Sequence, residues 1–329
     1  MKSAELNVLF TSSGRRVSLI KKFKDAYRTA GLTGNIVTVD GKATAPTAFH
    51  SDRHVVVPRV TDPSYMDTLL RLCREERIDA VIPLIDTELP LLAERRGEFE
   101  AIGAKVVVSG KALVELAGDK RKTYAFFAAR GIPTPKVYTD DELRRGDYEF
   151  PLLIKPANGS ASQGVTRIRN EAELRFFREY VPDAMVQQFV EGTEYTIDVM
   201  VDFDGNVKTI VPRMRIETRA GEVSKGVTKK DESIIRAAER VVRALPEPVG
   251  CITLQCFHRP NGEISFIEIN PRFGGGIPLS IEAGADFPLW TLRMIAGDSL
   301  AEPDYGWREN VTMLRYDEAV FTETIRHAN

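Results

Sequence analysis

The strongest constraint on how this chain folds is an alternation in its first third. Short apolar runs bounded by turn residues are separated by helical patterns. "LNVLFT" (Leu6–Thr11), "NIVTVD" (Asn35–Asp40), "HVVVP" (His54–Pro58), "DAVIPL" (Asp79–Leu84) and "AKVVVS" (Ala104–Ser109) read as strands. Val17–Ala30 and Tyr65–Arg77 read as amphipathic helices. Near-continuous apolar strands joined through helices build a parallel sheet covered on its faces.

Residues 1–110 are therefore expected to form an α/β domain of Rossmann-like type. The texture then changes. Ala112–Arg130 reads as one helix, Pro151–Pro156 as a strand, and "NGSASQG" (Asn158–Gly164) as a loop of small residues. "VTRI", helix Glu171–Tyr180 and strand Met185–Val190 follow. From Glu194 to Asn270, strands are separated by loops, which implies an α+β region with antiparallel sheet. The expected division is residues 111–329 as a second domain, with a lid at about 125–188 and a larger part at about 189–329.

The richest stretch is "ISFIEINPRFGGG" (Ile264–Gly276). Alternate residues of a strand share a face, so Glu268, Asn270 and Arg272 point one way and Ile267 and Ile269 the other. Upstream, Asn261-Gly262 between two strand-like runs signals a hairpin with a two-residue type I′ turn. Pro260 then pairs with Glu263, and the register carries Gln255 opposite Glu268. Gln255, Glu268 and Asn270 offer side-chain oxygens, the donors that Mg²⁺ takes together with water and phosphate. The competing reading is a polar outer face. Gly274–Gly276 favour the first, because glycine lets backbone approach closely.

Two lysines stand out. Lys155 lies among buried-looking residues, which is costly unless an anion meets it or the chain snorkels to water. The small-residue loop after it, with Gly159, Ser160 and Gly164, can turn N–H groups onto phosphates or be a hairpin tip. Lys120 sits on the helix between the two regions. "VQQFVEGTEY" (Val186–Tyr195) offers a strand edge and then Glu194. "PRMRIETRAGEVSKG" (Pro212–Gly226) carries Arg213, Arg215, Arg219 and Lys225 and reads either as a substrate-facing loop or as a solvated hairpin. Asp86 and Glu88 lie at the C-terminal end of a parallel strand, where open sheets bind ligands, and Asp86 equally suits a helix cap. In "TSSGRR" (Thr11–Arg16), Ser12 or Ser13 can cap the first helix, whose N-terminus suits an anion.

Composition narrows the partners. Basic and acidic residues nearly balance, for a formal net charge of −2, which gives no reason to expect nucleic acid. No apolar run reaches the roughly 18 residues of a membrane span, and the N-terminus has no signal-peptide pattern. Three cysteines without zinc-like spacing fit core thiols in a reducing cytoplasm.

The order of these signals resembles the ATP-grasp superfamily, and most of all its carbamoyl-phosphate synthase large-subunit branch. The resemblance rests on Lys120 in "GDK", Lys155, Asn158–Gly164, Gln187 to Val190, Glu194, Gln255 and the "EINPR" residues Glu268, Asn270 and Arg272. "LSIEAGADFPLWTLRMIAG" (Leu279–Gly297) adds to it. The resemblance implies that Lys120 and Lys155 hold ATP's inner phosphates, with the Asn158–Gly164 loop closing over them. It implies that Gln187, Gln188, Phe189 and Val190 read adenine, and that Glu194 takes the ribose. Gln255, Glu268 and Asn270 would hold Mg²⁺ or Mn²⁺, and Arg272 the transferred phosphoryl group. The catalytic set expected is Arg272, with Arg213 and Arg215 from the basic stretch, whose Arg219 and Lys225 would face substrate; Asp86 and Glu88, by their place at a strand end, are candidates for the amine.

Two features depart from the pattern. The hinge reads Gln187-Gln188 where the family often has an acid, and 329 residues make one grasp unit. The implied activity is ligation of a carboxylate to an amine or ammonia through an acyl phosphate, releasing ADP. Two alternatives remain open: half of a split carbamoyl-phosphate synthase that needs a partner chain or glutaminase, and a non-catalytic nucleotide-binding protein. Small-molecule acid and amine are the expected partners, with homo-oligomerisation or a partner ligase chain left open.

Overall fold

The computed structural model describes residues 5–159, 164–300 and 302–323. Its first domain is a five-stranded parallel sheet of β1 (Val8–Thr11), β2 (Ile36–Asp40), β3 (Arg53–Val56), β4 (Ala80–Pro83) and β5 (Lys105–Val106), in the order β3-β2-β1-β4-β5. The order reverses between β1 and β4, so the loops after these two strands open a crevice at their C-terminal ends. Helix Val17–Ala30 buries Leu19, Ile20, Phe23, Ala26 and Tyr27, a three- and four-residue spacing that lines one face. It stops at Gly31, whose left-handed backbone closes the last turn.

The expected single helix over 112–130 is two helices, Lys111–Ala117 and Lys120–Ala129. Asp119 takes an extended conformation between them, and its carboxylate accepts hydrogen bonds from the N–H groups of Arg121 and Lys122. An N-cap of this kind is worth about 0.5–2 kcal/mol. It stabilises a new helix start in place of an unbroken helix and puts Lys120 in the first turn.

A three-stranded antiparallel sheet follows, ordered β7-β6-β8 from β6 (Leu152–Pro156), β7 (Thr166–Ile168) and β8 (Ala184–Gln188). It is backed by helix Glu171–Tyr180 and has its own small core around Leu152, Ile154, Ile168, Leu174 and Val186. The largest sheet comprises β9 (Thr193–Val201), β10 (Val207–Arg219), β11 (Glu222–Thr228), β12 (Gly250–His258), β13 (Ile264–Asn270) and β14 (Thr312–Leu314). Its order is β13-β12-β9-β10-β11-β14, all antiparallel.

One core runs from the inner face of helix Val17–Ala30 into this large sheet and its covering helices, Glu232–Ala244 and Phe287–Ala296. Phe23 meets Phe273 edge to face at 5.7 Å between ring centroids. The parallel-sheet domain is thus packed onto the antiparallel one. Cys73, Cys251 and Cys256 are buried and unbridged. Among the described residues no helix is long and apolar enough to cross a membrane.

Candidate active site

A cleft of about 600 Å³ lies where the two larger sheets and the small sheet meet. The β12–β13 hairpin supplies its floor. Gln255 pairs with Glu268 and Thr253 with Asn270, the register expected from Asn261-Gly262. The route to that register differs from the expectation. Arg259 and Glu263 close a three-residue loop in which Gly262 has φ +83°, not a two-residue turn. That slips the pairing by one, to His258–Ile264 and Cys256–Phe266. A bulge at Ile267 slips it back. The bulge also corrects the face assignment: Ile267 lines the cleft beside Glu268, and only Ile269 is buried behind it.

Gln255, Glu268, Asn270 and Arg272 all line the cleft, and the Glu268 carboxylate accepts no hydrogen bond among the described residues. The Asn270 side-chain oxygen accepts from Arg272 Nη2 at 3.2 Å. The same Nη2 donates to Asp86 Oδ2 at 2.7 Å, while Arg272 Nε is buried and unpartnered. Asp86 therefore does not cap a helix; it ties the loop after β4 to the end of β13. One carboxylate with two amide oxygens is too few for a protein-only divalent site, and no cluster of three His, Cys, Asp or Glu exists among the described residues. That donor set fits a cation that completes its shell with phosphate and water.

Two of the three glycines have a steric cause. A Cβ on Gly274 would lie 2.9 Å from Thr253 Oγ1, and one on Gly276 would lie 2.4 Å from Arg213 Nη1. The strand-end backbone packs directly on the cleft wall, leaving no room for side chains.

Lys155 and Lys120 face this floor from the small sheet and the helix start. Lys155 is buried, and its ammonium donates no hydrogen bond among the described residues. Desolvation pushes its pKa down to about 8, with Lys120 adding repulsion and Glu268 opposing both. Lys120 Nζ donates to Gly159 O at 2.6 Å at the start of the small-residue loop. Gly159 lines the cleft, Gly164 packs against Pro156 outside it, and Ser160 falls outside the described residues.

The β9–β10–β11 face supplies the remaining wall. "PRMRIETRAGEVSKG" is the long β10–β11 hairpin, not a loop; Arg213 and Arg215 and the turn-end residues Gly221, Glu222 and Val223 line the cleft. Arg213 is fully buried, donating from Nε and Nη2 to Asp198 at 2.7 and 2.9 Å. Its Nη1 is buried with no partner. Arg215 pairs with Glu194, whose carboxyl pKa is raised by burial despite the Arg215 charge. Arg219 and Lys225 lie away from the cleft, in exposed pairs with Asp317 and Glu217. Exposed on the hairpin, their charges are met by water and by those carboxylates.

Of the hinge, Gln187 lines the cleft, whereas Gln188, Phe189 and Val190 are not in its wall. The Gln188 N–H is already bonded to Lys136 O, and the Phe189 ring lies under the Arg167 guanidinium at 4.3 Å. Glu88 also departs from expectation. It is wholly buried and accepts from Tyr65 Oη, Ser12 Oγ and the N–H groups of Leu84 and Ile85. Burial raises its pKa, those donors opposing. It is a tether for two loops, not a substrate contact. Neither Ser12 nor Ser13 caps the first helix: its N-cap is Arg16, without a side-chain bond.

Sequence reasoning missed Asp198 and Arg16, and placed Glu222 only within the basic stretch. Asp198 had a signal, a lone carboxylate in the apolar run "TIDVMV" on the same face as Glu194. Arg16 and Glu222 meet only in the folded chain.

A parallel-sheet domain thus packs on an antiparallel one, and a small sheet stands by a cleft that holds an unbonded lysine, Lys155, and an unbonded carboxylate, Glu268. Residues 8–107 match the PylC-like N-terminal domain family and residues 117–276 the ATP-grasp domain family, so the chain carries a single ATP-grasp domain after a PylC-like N-terminal one. It is 28% identical over 173 residues to carbamoyl-phosphate synthase of Methanobrevibacter smithii, covering 51% of this chain and 46% of that one. It therefore spans less than half of that relative. It is also 28% identical over 309 residues to D-alanine–D-alanine ligase B of Pseudomonas putida, covering 85% and 92% of the two chains. Its fold is that of the biotin carboxylase domain of Hydrogenobacter thermophilus 2-oxoglutarate carboxylase, with TM-score 0.74, 19% identity, and 93% and 73% coverage.

Proposed function

We propose that this protein is an ATP- and Mg²⁺-dependent ligase that joins a carboxylic acid to an amine or ammonia. The observation that carries the reading is Lys155: buried, desolvated, without a hydrogen-bond partner, and facing an equally unpaired Glu268 across a 600 Å³ cleft. A cation and an anion left apart in one cavity suit a ligand that carries both charges, as a metal-bound polyphosphate does.

In this reading Lys120 and Lys155 bind the inner phosphates. Ile267, Leu153 and Phe257 give apolar walls for the base, and Gln187 gives it a polar edge. Glu194 accepts ribose hydroxyls. Glu268, with the amide oxygens of Gln255 and Asn270, would hold Mg²⁺ or Mn²⁺, which neutralises phosphate charge as the terminal group transfers. Arg272 and the free Nη1 of Arg213 aim donors at that group. Cations concentrated at the terminal phosphate favour cleavage of the β–γ bridge, so the first step gives ADP and an acyl phosphate; the amine then attacks the acyl carbon, and phosphate leaves as the C–N bond forms.

The test is a screen of small carboxylates with ATP, Mg²⁺ and hydroxylamine. The expected result is acid-dependent ADP and a hydroxamate. AMP as the nucleotide product overturns the mechanism. A second reading, half of a split carbamoyl-phosphate synthase, draws on the similarity to part of the Methanobrevibacter smithii synthase. Ligation by the purified chain alone counts against it, and recovery of activity only with a second grasp chain or a glutaminase supports it.

A further inference from the structure

A second cavity of about 240 Å³ adjoins the cleft and shares with it Arg16, Ile85, Glu222, Gly274 and Gly275. Its polar end is the turn between β1 and helix Val17–Ala30. That turn is held in a costly shape. Ser12 has φ +48°, a conformation that costs a non-glycine residue of order 1 kcal/mol or more. The fully buried Glu88 accepts from Ser12 Oγ at 2.9 Å, Ser13 Oγ is bonded to Thr47 Oγ1 at 2.7 Å, and Gly14 N–H donates to Asp40 at 2.9 Å. Strain held by three separate tethers indicates a turn shaped for a ligand, not a slack connection.

Charge in this cavity is unbalanced. Arg15, Arg16 and Arg315 line it against a single carboxylate, Glu222, and Glu222 is already taken by Arg315 at 3.0 Å. The Arg16 guanidinium forms no hydrogen bond among the described residues. Burial first, then repulsion from Arg272 and Arg315, pulls its pKa down to about 10, so it stays charged at neutral pH. A cation that is half-buried, repelled and unbonded wants an anion. The rest of the lining is largely apolar: Leu19, Ile277, Pro278 and Met313. Met313 and Arg315 come from β14 and the residue after it, beyond the part of the chain that matches either domain family.

Resting on the ligase reading, we infer that this cavity seats the acid substrate: a compact carboxylic acid with an apolar tail. Its carboxylate meets Arg16 at the junction with the cleft, beside the Gly274–Gly275 backbone, and its tail packs on Leu19, Ile277 and Met313. The chain after the grasp domain thereby sets the tail length, because β14 adds Met313 to the apolar lining.

The test uses the full chain and straight-chain carboxylates from acetate to hexanoate, with their 2-amino counterparts as a separate arm. ADP release with hydroxylamine gives the KM for each acid, and calorimetry with a non-hydrolysable ATP analogue gives nucleotide affinity independently. Arg16→Gln is expected to raise the acid KM by about tenfold or more, the loss of one charged hydrogen bond, with analogue affinity unchanged. Met313→Trp is expected to move the preferred acid to a shorter chain. Preference for the 2-amino arm assigns the ammonium to Glu222, and preference for the plain acids leaves Glu222 as Arg315's anchor; both support the inference. A chain that binds the analogue but shows no tail-length dependence, or an acid KM unmoved in Arg16→Gln and Arg16→Lys alike, overturns it while the nucleotide reading stands. A chain that binds no analogue overturns the ligase reading first.

Discussion

Lys155 sets the energetics at the scale of single residues. Its pKa of about 8 in the folded chain lies below the ordinary 10.5. Between those values the unfolded chain holds more protons, so this residue's contribution to stability rises with pH through that window; its cost is fully present below about pH 8. A shift of that size corresponds to about 3 kcal/mol. Lys155→Met is therefore expected to raise the stability of the ligand-free protein at pH 7 by roughly 1–3 kcal/mol, while weakening ATP binding about 10- to 100-fold. Melting with and without ATP checks both halves, and a loss of stability in the free protein would make Lys155 structural. Wild-type ATP affinity should also fall as pH rises past about 8, because the lysine then deprotonates before the nucleotide arrives. Glu268→Gln belongs beside it. With no hydrogen bond to lose, the variant should melt within about 0.5 kcal/mol of wild type yet lose Mg²⁺-dependent ADP release. At this scale the sequence was readable where a residue's environment is local. The burial of Lys155 showed in its apolar neighbours, and Asn261-Gly262 showed a hairpin. The bulge at Ile267 left no local mark.

At the scale of elements, the buried pair between β9 and β10 organises the cleft wall. Asp198 receives Arg213 in two-point fashion and also Ser280 Oγ at 2.6 Å. Removing one partner strands the other's charge, which costs about 3–5 kcal/mol. Asp198→Ala should therefore unfold at markedly lower denaturant. The double change Asp198→Leu with Arg213→Met should restore most of that stability and none of the turnover, since the proposed mechanism uses Arg213 Nη1 as a donor to the transferring group. Denaturant titration beside ADP release separates the two, and a double variant that regains activity would remove Arg213 from the catalytic set. Strands with unbroken apolar runs were legible from sequence to within a residue or two, as in β1, β2 and β4. The break at Gly118-Asp119 was not, because the helical pattern continues across it and only the Asp119 cap declares the new start. The β10–β11 hairpin was seen as a charged stretch, but its length hid that Arg213 and Arg219 sit at opposite ends, one buried and one in water.

At the scale of the whole molecule, apolar and charged contacts join the two larger domains, two of them at the edge of the cleft. Phe23 on Phe273 fixes the packing, and Asp86 on Arg272 links the loop after β4 to the end of β13. Neither was visible in the sequence, because each joins residues far apart along the chain whose local surroundings say nothing of the other. Asp86 lines the cleft and holds Arg272, so in the proposed mechanism it acts as a positioning residue. The pair is partly exposed, with side chains at 14% and 33% of full accessibility, so its loss should cost no more than about 1 kcal/mol of stability. Its effect on chemistry should be larger. Without Asp86, Arg272 keeps only Asn270 and the Phe273 carbonyl, the latter at 3.3 Å, to hold its guanidinium in the cleft. Asp86→Asn keeps a hydrogen-bond acceptor and removes the charge. It should lower kcat about tenfold, with the KM for ATP changed less than twofold and melting within about 1 kcal/mol of wild type. Asp86→Ala should lower kcat further. If KM rises and kcat holds, Asp86 contacts a substrate directly, and the bridge between the domains is incidental to catalysis.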